Sequence, residues 1–302
     1  MRPSLALRSA LVSLLLLLVI VGAWHLATLP TSAAPGLGAG VDAGAAAAGA
    51  AGGADADAAA AEYAALMGQT AATPKSGGFP TPLEFARAAG GHLAHPFYDN
   101  GPNDKGIGIQ LGYSLARVGI GFLLAAVVAI PVGFVLGMSP LMQRALNPYV
   151  QILKPISPLA WMPLALYTIK DSSLSGMFVI FICALWPMLM NTAFGVASVR
   201  RDWLNVARTL EVGALRTARR VILPAAAPTI LTGMRISMGI AWLVIVAAEM
   251  LVGGTGIGYF VWNEWNNLSL TSVLFAIVLI GVVGMLLDLA LGRLQKLVTY
   301  VE

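Results

Sequence analysis

The sequence predicts an all-α polytopic membrane protein with about six transmembrane helices. Of its 302 residues, 58% are hydrophobic and only 11% are charged, whereas soluble globular domains carry roughly 25% charged residues. The apolar residues are gathered into runs that approach or exceed the length of about 20 residues needed to cross a bilayer. One polar stretch, residues 200–228, separates two of these runs in the C-terminal half.

The first apolar run covers residues 10–29 and follows Arg2 and Arg8. A charged start and a leucine-rich core also fit a cleaved signal peptide. Because the run is long enough to span a bilayer, we favour a retained anchor and assign residues 1–30 to an N-terminal transmembrane segment.

Residues 31–107 form the second predicted region, a periplasmic linker followed by a short helix. Its first half is almost entirely Ala and Gly and lacks large apolar side chains to bury. Thr81 and Glu84 have the spacing of a capping box with Pro82 at the first helical position. We expect this helix to end at Gly90 and Gly91.

Residues 108–302 form the predicted transmembrane domain. Five further spans are expected, at residues 111–138, 155–169, 174–199, 229–252 and 272–291. Gly133 and Gly137 are spaced for close helix contact in the second span. Residues 140–154 are expected to be a loop, and the third span to be kinked or partly re-entrant at its prolines.

Residues 200–228 are predicted to contain an amphipathic helix between two spans. Its apolar side chains recur at three- and four-residue spacing and fall on one helical face: Trp203, Val206, Ala207, Leu210 and Ala214. Polar side chains occupy the opposite face, and Pro224 and Pro228 are expected to end the element. A solvated loop with no partner would also show this pattern.

The basic residues predict the orientation. With both termini in the cytoplasm, cytoplasmic segments hold twelve Lys and Arg residues and outer segments hold four. This is a positive-inside bias, and it places residues 200–228 in the cytoplasm. The net charge of +4 is therefore explained by topology, and we assign no nucleic-acid partner.

The sequence lacks the familiar catalytic motifs. It has no phosphate-binding Gly-x4-Gly-Lys-Ser/Thr loop, no HExxH and no Gly-x-Ser-x-Gly. We therefore assign no catalytic residue, cofactor or metal, although an intramembrane enzyme built from carboxylates stays open. Polar groups within spans are costly and are candidates for the lining of a translocation path: Arg117, Asn191, Arg235, Trp242, Glu249 and Asp288. Structural ion pairs and snorkelling side chains are the alternative.

Several stretches resemble one family of transport proteins. They are HPFYDNGPNDKGIG at residues 95–108, KPISPLAWMPLALYTIKDS at 154–172, WPMLMNTAFGV at 186–196, and ISMGIAWLVIVAAEMLVGGTGIGYFVWNEWNNL at 236–268. The end of the polar segment, Val221-Ile-Leu-Pro224, resembles the end of the cytoplasmic coupling loop of ABC importer permeases. Over about two thirds of its length the chain resembles the permease subunit of nitrate/nitrite ABC importers, a group that includes taurine, sulfonate, cyanate and bicarbonate permeases.

The resemblance implies a type I-like ABC permease fold that performs no chemistry itself. It also implies a homodimeric or heterodimeric pair of permeases in the lipid bilayer of the bacterial inner membrane, two cytoplasmic ATPase subunits and a periplasmic solute-binding protein. The residues carried over to ATPase coupling are Trp203, Val206, Ala207, Leu210, Glu211, Gly213 and Pro224. This chain has Asn205-Val206-Ala207 where the family usually has Glu-Ala-Ala, and it has Glu211 where the family usually has Gly. A membrane scaffold that recruits a cytosolic partner through this segment is the alternative from another class.

Overall fold

The structure is a computed structural model that describes residues 5–28, 79–101 and 104–298, most of them helical. The Ala/Gly-rich part of the expected linker lies outside these ranges. The chain divides into two compact units, Met1–Glu84 and Phe85–Glu302.

Two helices precede the main bundle. Helix α1 covers Leu5–Ala27, and helix α2 covers Pro82–Ala94. The capping box is confirmed, because Glu84 N–H donates to Thr81 Oγ1 at 3.3 Å and Thr81 N–H donates to Glu84 Oε2 at 2.8 Å. The expected end of α2 at Gly90 is wrong: the helix continues, and His92 bonds Ser272 at 3.1 Å and stacks on Phe275. Tertiary packing thus offsets the low helix propensity of glycine.

The other helices follow in order, and the bundle confirms the all-α membrane fold. They are α3 (Ile107–Met138), α4 (Pro140–Leu153), α5 (Pro158–Ile169), α6 (Ser172–Ala197), α7 (Arg201–Thr209), α8 (Ala214–Thr217), α9 (Leu223–Val252), α10 (Ile257–Asn266) and α11 (Leu270–Val298). Within the described ranges, four helices are long and apolar enough to cross a membrane: α3, α6, α11, and the continuous helix Ala214–Val252 that contains α8 and α9. The α4 and α5 pair, bent by 90°, can provide a fifth span, and α1 has 23 residues.

The prediction of a loop at residues 140–154 is wrong, because α4 occupies most of it. Ser139 caps this helix by accepting a hydrogen bond from Met142 N–H at 3.4 Å, and Pro140 takes a first-turn position. Serine followed by proline is a helix-start signal. The predicted bend lies between α4 and α5, where Pro155 and Pro158 interrupt the chain.

Helices α3, α6 and α9 form the centre of the bundle. Gly133 and Gly137 make the close contact expected of them, since α3 packs directly on the backbone of α6 there. A Cβ atom added at Gly133 would lie 2.7 Å from the carbonyl oxygen of Leu189. Their small size is therefore required for the observed distance between these helices.

Replacing Gly133 with leucine is expected to destabilise the folded protein by about 1–3 kcal/mol, because the added side chain forces α3 and α6 apart. Thermal unfolding in detergent measures the loss. Gly119 of α3 provides the matched control, since a Cβ atom there meets no neighbour within 4 Å. Equal unfolding temperatures for Gly133→Leu and Gly119→Leu would contradict the packing argument.

Candidate functional site

The polar segment 200–228 contains two short helices rather than one. Helix α7 ends at Thr209, a turn follows, and α8 leads through a π-helical turn, Ala218–Ile222, directly into α9. The expectation that Pro224 and Pro228 end the element is wrong, because both lie inside α9. Proline is tolerated in the first turn of a helix, and the π-helical turn just before Pro224 is a place where the regular hydrogen-bond ladder is already interrupted.

Helix α7 exposes most of the predicted apolar face. Trp203, Val206 and Leu210 are 40%, 59% and 69% exposed, whereas Ala207 is buried. Leu204, which lies outside the predicted face, packs on the cluster formed by the ends of α6 and α9. The helix is thus anchored by Leu204 and Ala207. We call the three exposed side chains, Trp203, Val206 and Leu210, the coupling face, because ATPase coupling is the role that the family resemblance implies for them.

The turn after α7 gives Glu211 an unusual role. Its φ angle is 53°, in the left-handed region that favours glycine. The amide of Val212 donates to the carbonyl of Ala207 at 3.0 Å, as in a Schellman helix end. Glu211 thus adopts the backbone conformation for which glycine is best suited. The family that this chain resembles has glycine at this position. Gly213, two residues later, is the N-cap residue of α8.

A buried ion pair lies at the opposite end of the bundle from segment 200–228. Arg117 Nη1 of α3 donates to Glu249 Oε1 of α9 at 2.8 Å, and their side chains are only 14% and 4% exposed. Arg117 also donates to Ser173 Oγ at 3.0 Å and to the carbonyl of Thr255 at 2.6 Å. One guanidinium therefore joins α3, α6, α9 and the loop after α9.

The Glu249 carboxylate also caps the N-terminus of α10. Gly258 N–H in the first turn of α10 donates to Glu249 Oε2 at 3.1 Å, a position where the helix dipole favours a negative charge. A Cβ atom at Gly256 would overlap the Glu249 carboxyl group, so this approach requires glycine. The glycine-rich loop at residues 253–258 therefore binds a carboxylate of the same chain, that of Glu249.

Ser114 completes this network, although it was not among the candidate residues predicted from the sequence. It is fully buried; its Oγ accepts from Ile257 N–H at 2.9 Å and donates toward Glu249 Oε2 at 2.8 Å. A serine within an apolar run, one turn before Arg117 on α3, is the signal that could have indicated it. We call Ser114, Arg117 and Glu249 the carboxylate network.

Arg235 and Asp288 form a second ion pair, between α9 and α11. Arg235 donates from Nε and Nη2 to the two carboxylate oxygens of Asp288. Both side chains are nearly half exposed. From the helical rise of about 1.5 Å per residue, Arg235 lies about 21 Å from Glu249 along α9, toward segment 200–228. The structure thus groups four of the candidate path residues into two separate pairs.

The remaining two candidates bond to backbone carbonyls. Asn191 Nδ2 donates to Pro187 O at 2.8 Å within α6, and its side chain fills the space opposite Gly233 of α9. Trp242 is buried, and its Nε1 donates to Ile280 O of α11 at 3.0 Å. Both side chains lie at helix contacts. Whether any of the six candidates lines a path stays a prediction.

These features define a class: a helical membrane protein whose spans are joined by a short amphipathic helix with an exposed apolar face. The fold matches the inward-facing MetNI methionine ABC transporter with a TM-score of 0.57 and 17% identity, covering 63% of this chain and 94% of the solved one. The family model for the binding-protein-dependent transport system inner membrane component matches residues 129–300. The chain belongs to this family, and it is a transport component and not an enzyme.

Two relatives show which branch of the family is similar. The nitrate import permease protein NrtB of Synechocystis sp. is 44% identical over 223 residues, which cover 74% of this chain and 81% of the relative. The bicarbonate transport system permease protein CmpB of the same organism is 42% identical over 207 residues, covering 68% and 74%. The chain therefore lies within a group of permeases that includes importers of small anions.

Proposed function

We propose that this protein is the permease subunit of an ATP-driven importer of nitrate or nitrite. The observation that carries the proposal is the 44% identity to a nitrate import permease over 223 residues. The matching fold and the exposed coupling face support a transporter over a membrane scaffold, because both are features expected of an importer permease.

Bicarbonate is the second candidate solute. The identity to the bicarbonate permease, 42%, is only slightly lower than that to the nitrate permease. Nitrate and bicarbonate are both planar oxyanions with one negative charge, so similar lining groups suit both. Uptake competition is therefore needed to separate them.

The proposed partners follow from the coupling face. Trp203 and Val206 of α7 and its C-cap residue Leu210 are apolar and exposed, which suits insertion into a groove on a cytoplasmic ATPase subunit. Glu211, Gly213 and Pro224 shape the chain around this face. A second permease copy in the bilayer and a periplasmic binding protein complete the assembly. Closure of the ATPases would move α7 and switch the path between inward- and outward-facing states.

The proposed orientation places segment 200–228 and both termini in the cytoplasm. The excess of Lys and Arg in the corresponding segments supports it. The carboxylate network then lies at the periplasmic end of the bundle, and the Arg235–Asp288 pair lies in the cytoplasmic half. The two pairs are candidates for the outer and inner parts of the path.

Labelled nitrate uptake in a strain lacking only this gene tests the proposal. Loss of high-affinity uptake, restored by the intact gene, is the expected result. Normal nitrate uptake together with impaired bicarbonate, taurine, sulfonate or cyanate uptake would refute nitrate as the solute.

A further inference from the structure

An open cleft of about 680 Å³ lies between α9 and α11, in the half of each helix nearest to segment 200–228. Its lining consists of Arg235, Asp288, Leu289, Gly292, Arg293, Gln295 and Lys296. Three cationic side chains stand against one carboxylate, so the formal charge of the lining is +2. We call this feature the basic cleft.

The guanidinium of Arg235 lines the basic cleft beside Asp288. Its pairing with Asp288 uses Nε and Nη2, so Nη1 takes no part in it. A Cβ atom at Gly292 would lie 3.7 Å from Cζ, 3.9 Å from Nη1 and 4.0 Å from Nη2. Glycine at this position therefore leaves one face of the guanidinium uncovered.

The other two cations continue the cleft toward the end of α11. Arg293 and Lys296 lie about 7.5 and 12 Å beyond Asp288 along the helix axis, from a rise of about 1.5 Å per residue. Gln295 of α11 donates to Thr232 of α9 at 2.9 Å, which holds the two walls together at this level. The positive charges are thus spaced along the cleft instead of forming one compact cluster.

We propose that the basic cleft is a low-affinity oxyanion site at the end of the bundle nearest to segment 200–228. A guanidinium matches the planar geometry of an oxyanion, and the ammonium of Lys296 adds a mobile positive charge. Asp288 competes for Arg235 and keeps the affinity low, as a site of release requires. The proposal rests on the proposed function where the oxyanion is the transported solute. The phosphate of an anionic lipid has the same chemistry and is the other source.

The test uses the full-length protein in nanodiscs of phosphatidylcholine, with labelled nitrate binding measured by equilibrium dialysis. The double variant Arg293→Gln/Lys296→Gln should weaken nitrate binding roughly tenfold, because it removes two of three cations. Gly292→Val keeps every charge but covers that face of the Arg235 guanidinium, and it should also weaken binding. Asp288→Asn should strengthen binding roughly threefold, because the competing carboxylate is neutralised.

The matched control is Arg144→Gln/Lys154→Gln, which removes two exposed positive charges outside the basic cleft. It should leave nitrate binding unchanged. Equal weakening by the two double variants would overturn the proposal, since binding would then reflect overall charge. Weaker or unchanged binding in Asp288→Asn, if that variant folds, would also overturn it.

A second arm identifies the source of the oxyanion. Nanodiscs containing phosphatidylglycerol are analysed by native mass spectrometry for lipid retained by the wild type and by the cleft variants. Lipid retention that depends on Arg293 and Lys296, with no nitrate binding at the cleft, assigns the site to a lipid phosphate. Nitrate binding and lipid retention could both be the same in the cleft variants as in the control variant. If the wild type nevertheless transports nitrate, this inference fails and the proposed function stands. If the wild type does not transport nitrate, the proposed function fails, whatever the cleft binds.

Discussion

Replacing Leu210 with arginine is expected to abolish ATP-driven uptake while the permease itself still folds and inserts. Leu210 is 69% exposed in this chain, so its replacement removes little internal packing. In the proposed complex the same side chain enters a groove on the ATPase, where an unpaired arginine would be buried. Such a charge costs about 3–5 kcal/mol, which corresponds to a loss of affinity of more than about 100-fold.

Co-purification of the ATPase and labelled uptake measure the two effects of Leu210→Arg. Leu215→Arg is the matched control, because Leu215 is also exposed but lies on α8, outside the coupling face. The control should retain ATPase and uptake. Full uptake in Leu210→Arg would rule out α7 as the coupling helix.

Replacing Glu249 with glutamine is expected to destabilise the protein strongly. The substitution leaves the Arg117 guanidinium charged and uncompensated in a site where both side chains are largely buried, and breaking such a pair costs about 3–5 kcal/mol. It also weakens the cap of α10 at Gly258 and the contact with Ser114. Thermal unfolding should shift to lower temperature, and the amides of residues 253–260 should exchange hydrogen faster.

The double variant Arg117→Gln/Glu249→Gln provides the critical control for the ion pair. It removes both charges, so it should be less destabilised than the sum of the two single variants. Asp202→Asn breaks the highly exposed Arg200–Asp202 pair and should leave the unfolding temperature unchanged. Additive effects of the Arg117 and Glu249 substitutions would contradict their direct interaction.

Much of the fold could be predicted from local patterns. Apolar runs indicated the spans, the Thr81–Glu84 spacing indicated the start of α2, and Gly133 with Gly137 indicated a close helix contact. Each signal lies within a few residues of the chain. The errors arose where a local signal has two meanings: Pro224 can end a helix or begin one, and Gly90 lowers helix propensity without deciding the outcome.

The arrangement of the candidate site could be predicted only in part. Arg117 and Glu249 were recognised separately as costly charges within spans, but nothing in the sequence indicates that residues 132 positions apart bond each other. Ser114 was missed because one hydroxyl in an apolar run costs little when it bonds within its own helix. Periodicity alone placed Trp203, Val206 and Leu210 on one face, and the structure exposes all three. Periodicity could not show that Ala207 faces inward.

The most direct test of the account is nitrate accumulation in proteoliposomes that contain this permease with its ATPase and binding-protein partners. Labelled nitrate should accumulate only with ATP, and Leu210→Arg should abolish the accumulation. ATP-dependent accumulation of bicarbonate without accumulation of nitrate would contradict the account.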